Sequence, residues 1–392
     1  MNFKKILLIA AVGICFLGLN SCGENTATQQ LPELKITPKD ILTFDQIASE
    51  VEFIPMIIPE ESPLKLLPFD PILFISDKIY FSTGDYNDAS VHVFDLDGKY
   101  QRRFNKQGGG PGEYTEISAL EVWSNDLVVW DGFGTFYQYS LEDFSFVKTF
   151  KVSEKKYIPD YQKLEDNKWI LVFDIEDLDH EGYYPVFHLY DSTTKSVQPL
   201  PIKAPALTSE LTEGMIAKIG EELYLLNFGA SDTLYMLQNG KVLPWVKLNL
   251  DNNNLPENDK QQPEETIENL LMEQRYNFNT GAILAAGNTV RIPVFGLKKV
   301  QDFDPDNVGS FPIYDVYVNY PNPEVKVSRA FGNFGGKGFS KDGYFYEWLY
   351  AEYFMAYLES GFFGKFTADL ENAMEKLVDQ EDPILVKYKV RF

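Results

Sequence analysis

Apolar and polar positions alternate along most of this chain in short runs, separated by clusters of Gly, Asp, Asn and Pro, the pattern of many short strands joined by turns. The clearest unit is Val91 to Tyr114, VHVFDLDGKYQRRFNKQGGGPGEY. Val91, Val93 and Phe94 supply strand formers, Asp95-Leu96-Asp97-Gly98-Lys99 a tight turn, and Tyr100 to Phe104 the return strand, so a hairpin is expected. Gly108-Gly109-Gly110-Pro111-Gly112 then joins glycines free to take φ > 0 to a residue of fixed φ, an elbow that turns the backbone in a set direction. A new strand follows from Leu120 to Trp123. Hairpin, elbow and further short strand is how one blade of a β-propeller hands the chain to the next.

Blades can be counted by this pattern. Ile72 to Phe104 makes the first, Leu120 to Phe150 the second, Lys163 to Leu200 the third, Met215 to Leu250 the fourth, Ala282 to Val327 the fifth and Ala330 to Phe392 the sixth. The spacing, about 45 to 60 residues, is near the period of four-stranded blades. The expected fold is therefore all-β, a six-bladed β-propeller with two short helical insertions. Val51-Glu52-Phe53-Ile54 is a strand ahead of the first blade, placed to complete the last one and remove an open edge. One insertion opens at Pro263-Glu264-Glu265-Thr266-Ile267, with Pro and acids in the first turn. The other repeats Leu370, Ala373, Met374, Leu377 and Val378 at helical spacing until Pro383. Both read as helices packed on the propeller. Tyr344 to Leu358 reads as strand, then helix from about Ala351.

The chain start follows other rules. Lys4 and Lys5 precede an apolar run, Ile6 to Leu19, too short for a comfortable membrane span, and Leu19-Asn20-Ser21-Cys22 ends it. This resembles a bacterial lipoprotein signal, which implies cleavage before Cys22 and lipidation of that cysteine. The expected organisation is residues 1–21 signal peptide, 22–40 flexible tether and 41–392 propeller. Gly23 stands where Asp would favour inner-membrane retention, so the outer membrane is the expected address. Cys15 lies in the apolar run, leaving no thiol for a disulfide, a nucleophile or a thiolate metal site.

Composition agrees with the strand count. The 30 Phe and 23 Tyr suit many short strands. Formal charge is −23, and loss of Lys4 and Lys5 with the signal makes it −25. No basic run exists to bind phosphates, so nucleic acid is not an expected partner.

Candidate chemistry is sparse. Gly108, Gly110 and Gly112 are spaced as in a dinucleotide loop, but β rather than helix follows, so they read with Pro111, Glu113 and Tyr114 as a structural connector. Glu113 is the polar residue there expected to project near the channel, and a carboxylate on that turn could cap backbone N–H groups. Asp302-Phe303-Asp304-Pro305-Asp306-Asn307 alternates carboxylates as calcium loops do, but Asn307 replaces the required glycine and Ile313 the required acid. Asp251-Asn252-Asn253-Asn254 reads as a polar loop. His92, His180 and His188 fall far apart, and no HExxH or GxSxG is present. Trp130, Phe133, Phe136, Tyr137 and Tyr139 are dense enough for a sugar-stacking platform, although alternation assigns half of them to the core.

Phe94-Asp95-Leu96-Asp97-Gly98-Lys99 followed by Gly108-Gly109-Gly110-Pro111-Gly112-Glu113-Tyr114 resembles the six-bladed β-propeller lipoproteins of Bacteroidota, relatives of NHL-repeat and TolB-like propellers. The family's GxGxGPGE(F/Y) connector matches at Gly108, Gly110, Pro111, Gly112, Glu113 and Tyr114. That resemblance implies a fold and an envelope address and carries no catalytic set. The expected role is a lipid-anchored envelope module that binds or scaffolds a glycan or an envelope protein, with no metal or catalytic residue assigned. The alternative is a Ca²⁺-dependent propeller hydrolase or lyase, marked by Asp, Glu and Asn side chains converging from several blades at one end of the channel.

Overall fold

The computed structural model describes residues 31–59, 72–85, 88–152, 157–165, 167–173, 183–205, 214–226, 231–260, 273–297, 313–330, 338–379 and 382–392, together with 262, 266, 269 and 270. Contacts divide the chain into Met1–Leu31 and Pro32–Phe392. The second unit is a six-bladed β-propeller.

Blade 1 is Ile72–Ile75, Ile79–Asp85, Asp88–Phe94 and Tyr100–Phe104, and blade 2 is Ala119–Trp123, Asp126–Trp130, Thr135–Ser140 and Phe146–Lys151. Blade 3 is Asp160–Glu165, Lys168–Val172, Phe187–Asp191 and Ser196–Pro199. Blade 4 runs Ile216–Ile219, Glu222–Leu225, Thr233–Gln238 and Lys241–Leu250. In blade 5, Leu284–Ala286 and Phe278–Asn279 both pair with Thr289–Phe295, followed by Ile313–Asn319 and Val325–Arg329. Blade 6 joins Phe339–Lys341, Tyr344–Leu349 and Ile384–Val390 to Ala48–Pro55. The N-terminal strand thus closes the last blade, in antiparallel register from Ile384 opposite Pro55 to Val390 opposite Ala48.

Strand position dictates strand composition. A middle strand is covered on both faces by neighbouring blades, so it reads as an unbroken apolar run. In blade 2, Leu127 and Val129 join the core shared with blade 1, beside Val91, Leu120 and Tyr139, whereas Val128 and Trp130 join Phe136, Tyr161 and Trp169 against blade 3. The outer strand Phe146–Lys151 faces solvent and is mostly exposed.

Ring closure continues past the closing strand into blade 1. Met56 N–H donates to Pro383 O (3.1 Å) and Ile57 N–H to Gly98 O (2.8 Å). Gly98 ends the Asp95–Lys99 turn at φ +80°, and a Cβ there would lie 2.2 Å from Pro55 O. Only glycine meets both demands.

Two expectations shift. The tether expected over 22–40 is ordered from Glu33: Glu33–Ile36 pairs in parallel with Lys241–Leu250 as a fifth strand of blade 4, and Ile41–Leu42 pairs in parallel with blade 5. The reason lies in the alternation of Leu34 and Ile36, which places Ile36 fully in the blade 4 core while polar neighbours hide the signal. The helix expected from Leu370 to Val378 is Thr367–Met374; Leu370 and Ala373 are buried, and Val378 lies beyond its end at 50% exposure. It follows a helix at Ala351–Ser360, capped by Gly361 at φ +65°, and both pack on blade 6 around Phe44, Phe363 and Tyr388. The insertion at Pro263 falls largely outside the described residues, with Thr266, Asn269 and Leu270 helical.

Candidate functional site

The glycine-rich connector is a built turn. Glu113 N–H donates to Gly110 O (3.1 Å), closing a turn with Pro111 second and Gly112 third at φ +76°, the type II arrangement. A Cβ on Gly112 would come within 2.7 Å of the Phe146 ring. Glu113 folds back over the loop, where its Oε2 accepts the Gly110 N–H at 2.7 Å, and a Cβ on Gly108 would sit 2.1 Å from that same oxygen. Tyr114 is fully buried; its hydroxyl accepts Lys106 N–H (3.1 Å) and donates to Ala89 O (2.8 Å), and burial pushes its pKa up to about 12. Of the two uses expected of Glu113, the structure shows the capping of a connector N–H, and with its carboxylate so committed it does not line the channel cavity. Cys22 lies outside the described residues.

The chemistry that the fold brings together lies instead where the chain enters the innermost strands. These strands surround one axis: Ile72–Ile75 neighbours Ala119–Trp123 and Phe339–Lys341, and Ile216–Ile219 neighbours Asp160–Glu165 and Leu284–Ala286. Their first residues line a cavity of about 410 Å³ to which every blade contributes, a size within the roughly 300–1,000 Å³ range of small-molecule sites.

Its walls differ in character. Phe74 of blade 1 and Phe339 of blade 6 form an aromatic wall, edge to face at 5.3 Å between centroids. Blade 2 and blade 3, the latter opposite blade 6, supply Ser118, Glu121, Asp160, Tyr161 and Gln162. The described lining holds two carboxylic acids and no basic side chain. Asp160 is structural, since its Oδ1 accepts Tyr161 N–H (2.9 Å) and its Oδ2 accepts Ile216 N–H (3.1 Å), tying blade 3 to blade 4.

Glu121 is different. It keeps an edge on the cavity while its carboxyl is withdrawn from solvent, and burial pushes its pKa above the usual range against the pull of Trp123, Tyr161 and the Lys163 ammonium. Trp123 Nε1–H donates to Glu121 Oε2. Tyr161 is 8% exposed, and burial together with the Glu121 carboxyl beside its hydroxyl pushes its pKa well up.

At the rim, Gly132 lies where a Cβ would meet Ser118 Oγ, Glu116 Oε1 and Tyr157. Beside it Phe133 is 49% exposed, its ring 5.7 Å from that of Tyr157. Of the five aromatic residues considered as a sugar platform, Trp130, Phe136 and Tyr139 are buried core, leaving Phe133 as the exposed one.

The remaining candidates do not converge. His92 is buried in blade 1, its pKa pushed down to about 4 by burial and by Arg103, and His188 lies in blade 3 with its ring 4.8 Å from Phe173. His180 and the Asp302–Asn307 segment fall outside the described residues. Asp251 to Asn254 is a polar loop in which Asn254 accepts Leu250 N–H (2.7 Å). Among the described residues, no group of three His, Cys, Asp or Glu could hold a metal ion. Sequence reasoning missed Glu121; the available signal was its place as a lone acid in the innermost strand Ala119–Trp123.

Comparison with solved structures supports the architecture. A Bacteroides fragilis NCTC 9343 protein described as exported superposes with a TM-score of 0.61 at 14% identity, over 92% of this chain and 99% of its own. A DUF4221-family member from Bacteroides vulgatus ATCC 8482 gives 0.53 at 13% identity, over 88% of this chain and 97% of its own. The sequence matches none of the curated proteins with which it was compared. The family described as domain of unknown function DUF4934 matches residues 31–389, the whole propeller from before its first edge strand to its last, and the chain belongs to that family.

Proposed function

We propose that this protein is an exported, lipid-anchored propeller that binds a neutral glycan at the mouth of its central channel. The observation that carries this reading is the two-sided cavity: an aromatic wall for a sugar ring to stack on, opposite the Glu121 carboxyl, the Gln162 amide and the Ser118 hydroxyl as polar partners for its hydroxyl groups. An acidic lining on a chain of charge −23 disfavours anionic ligands. Export and anchoring rest on Leu19-Asn20-Ser21-Cys22, and the description of the Bacteroides fragilis structural relative as exported points the same way.

The test is thermal unfolding of the soluble chain beginning after Thr28, with neutral tetrasaccharides built on glucose, mannose or N-acetylglucosamine, and with tetragalacturonate, trilysine and calcium chloride as separate arms. A ligand that binds only the folded state raises the melting temperature. A shift with a neutral sugar, abolished by Phe74→Ala with Phe339→Ala, is expected. A shift with calcium alone would move the assignment to Ca²⁺-dependent channel chemistry, and one with trilysine alone to a basic protein partner. Anchoring is tested separately: an alkyne fatty acid fed to expressing cells should label the wild-type protein and not Cys22→Ser.

A further inference from the structure

Resting on the glycan reading, we propose that the site continues past the cavity onto a rim subsite, in which Phe133 stacks on a further sugar ring of the same neutral chain. The ligand is then an oligosaccharide longer than the cavity alone holds. Ser118 joins the two regions. It lines the cavity, and its hydroxyl donates to Glu116 Oε1 (3.4 Å). A Cβ on Gly132 would come within 2.6 Å of Ser118 Oγ and 3.1 Å of both Glu116 Oε1 and the Tyr157 ring, so the turn that carries Phe133 lies against a cavity residue.

That turn is fixed before any ligand arrives. Asp131 is 5% exposed, and its Oδ1 accepts both Phe133 N–H and Thr135 N–H at 2.9 Å. Gly132 O accepts Ile158 N–H and Gly134 O accepts Val152 N–H, each at 2.8 Å, tying the turn to the chain leaving blade 2 and the chain entering blade 3. Both glycines hold positive φ, +73° and +91°. Yet the Phe133 side chain is 49% exposed, with the Tyr157 ring 5.7 Å away and tilted by 56°. A buried carboxylate and two glycines thus hold in place an aromatic ring that the core does not use. A ring displayed on a rigid turn binds with little ordering cost, and its face suits the C–H face of a neutral sugar. Ser118 and Glu116 keep acceptor capacity for that sugar's hydroxyls, and the acidic rim disfavours an anionic chain as the cavity lining does.

Titration calorimetry on the soluble chain beginning after Thr28 tests this. It compares the neutral tetrasaccharide giving the largest thermal shift with the disaccharide of the same series, for wild type, Phe133→Ala, Phe133→Leu and Phe133→Tyr. Wild type is expected to bind the tetrasaccharide more tightly than the disaccharide. Phe133→Ala and Phe133→Leu should lose about fivefold to tenfold for the tetrasaccharide and nothing for the disaccharide, while Phe133→Tyr keeps the flat face and the affinity. Sugar-free melting temperatures should be unchanged, as the ring lies outside the core. Unchanged tetrasaccharide affinity in Phe133→Ala, or an equal loss for both sugars, overturns the subsite and leaves the cavity reading intact. A large fall in the sugar-free melting temperature of Phe133→Ala also overturns it, since the ring would then be a packing group. If no neutral sugar binds the wild type, both readings fall together.

Discussion

Two interfaces in this ring bury carboxyl groups between neighbouring sheets, one between blades 5 and 6 and one between blades 2 and 3, and they are completed differently. At the first, Arg291 (3% exposed) pairs its Nη1 with Glu347 Oε1 at 2.5 Å and lies 3.9 Å from Asp315 Oδ1. Tyr388 donates to the same Glu347 oxygen, and the Tyr317 and Tyr388 hydroxyls meet at 2.9 Å. Burial alone would lower the Arg291 pKa, but Glu347 and Asp315 outweigh it and hold the guanidinium charged. At the second interface Glu121 takes the Trp123 indole N–H and lies beside the Tyr161 hydroxyl, and burial of its carboxyl outweighs these neighbours and the Lys163 ammonium in setting its pKa. The first cluster answers its carboxyls with a buried cation, whose Nε itself makes no hydrogen bond. The second borders the channel cavity and meets its carboxyl mainly with neutral donors, and that difference separates a carboxylate held charged by a cation from a carboxyl group whose charged form burial disfavours.

The largest expected break in this comparison is Arg291→Met. Removing the cation strands two buried carboxyls, and urea unfolding should show a loss of about 3–5 kcal/mol. A smaller contrast comes from the tyrosines. Tyr388→Phe removes the donor to the charged Glu347 and should cost about 1–3 kcal/mol, whereas Tyr161→Phe, beside a carboxyl whose charged form burial disfavours, should cost less, about 0.5–1.5 kcal/mol. An equal loss in the two would erase the distinction.

Acidity sharpens it further. Glu121 has a raised folded pKa, so the folded state binds the extra proton: its contribution is complete below the ordinary value of 4.5 and is lost as pH rises through the raised one. Wild type should therefore lose more stability than Glu121→Gln as pH rises above the ordinary carboxyl value of 4.5 in chemical unfolding. Asp382, whose pKa burial raises to about 6, adds a slope of the same sign that both proteins share. The smallest effect belongs to the rim. Phe133→Ala should change stability by no more than about 0.5 kcal/mol, as an exposed side chain outside the core, yet weaken sugar binding if the glycan extends past the mouth.

The blade count was legible because each blade announces itself twice, by a covered middle strand such as Leu127–Trp130 and by a turn such as Asp95–Lys99. The connector was legible for a related reason: Pro111 and Gly112 are demanded by one turn type, whatever surrounds them. The edge strand at Glu33–Ile36 was not, because a parallel outer strand needs only Leu34 and Ile36 on one face, and its partner lies far along the chain at Lys247 to Leu250. The cavity was hidden more deeply. Glu121 and Tyr161 are ordinary strand residues separated by most of a blade, and only the ring brings them to one wall. The dense aromatic cluster at Trp130 to Tyr139 drew attention that belonged to Phe74 and Phe339, whose meeting requires the first and last blades to touch.

That contact between first and last carries a consequence for how the molecule is made. Blade 6 needs Ala48–Pro55 from one end of the chain and Ile384–Val390 from the other. During synthesis the first of these emerges long before its partner exists, and has to wait as an unpaired edge while the other blades form. Closure is therefore a late, long-range event of the kind that slows folding. Until it happens Phe339 lacks its partner Phe74, so the cavity is assembled only in the finished ring.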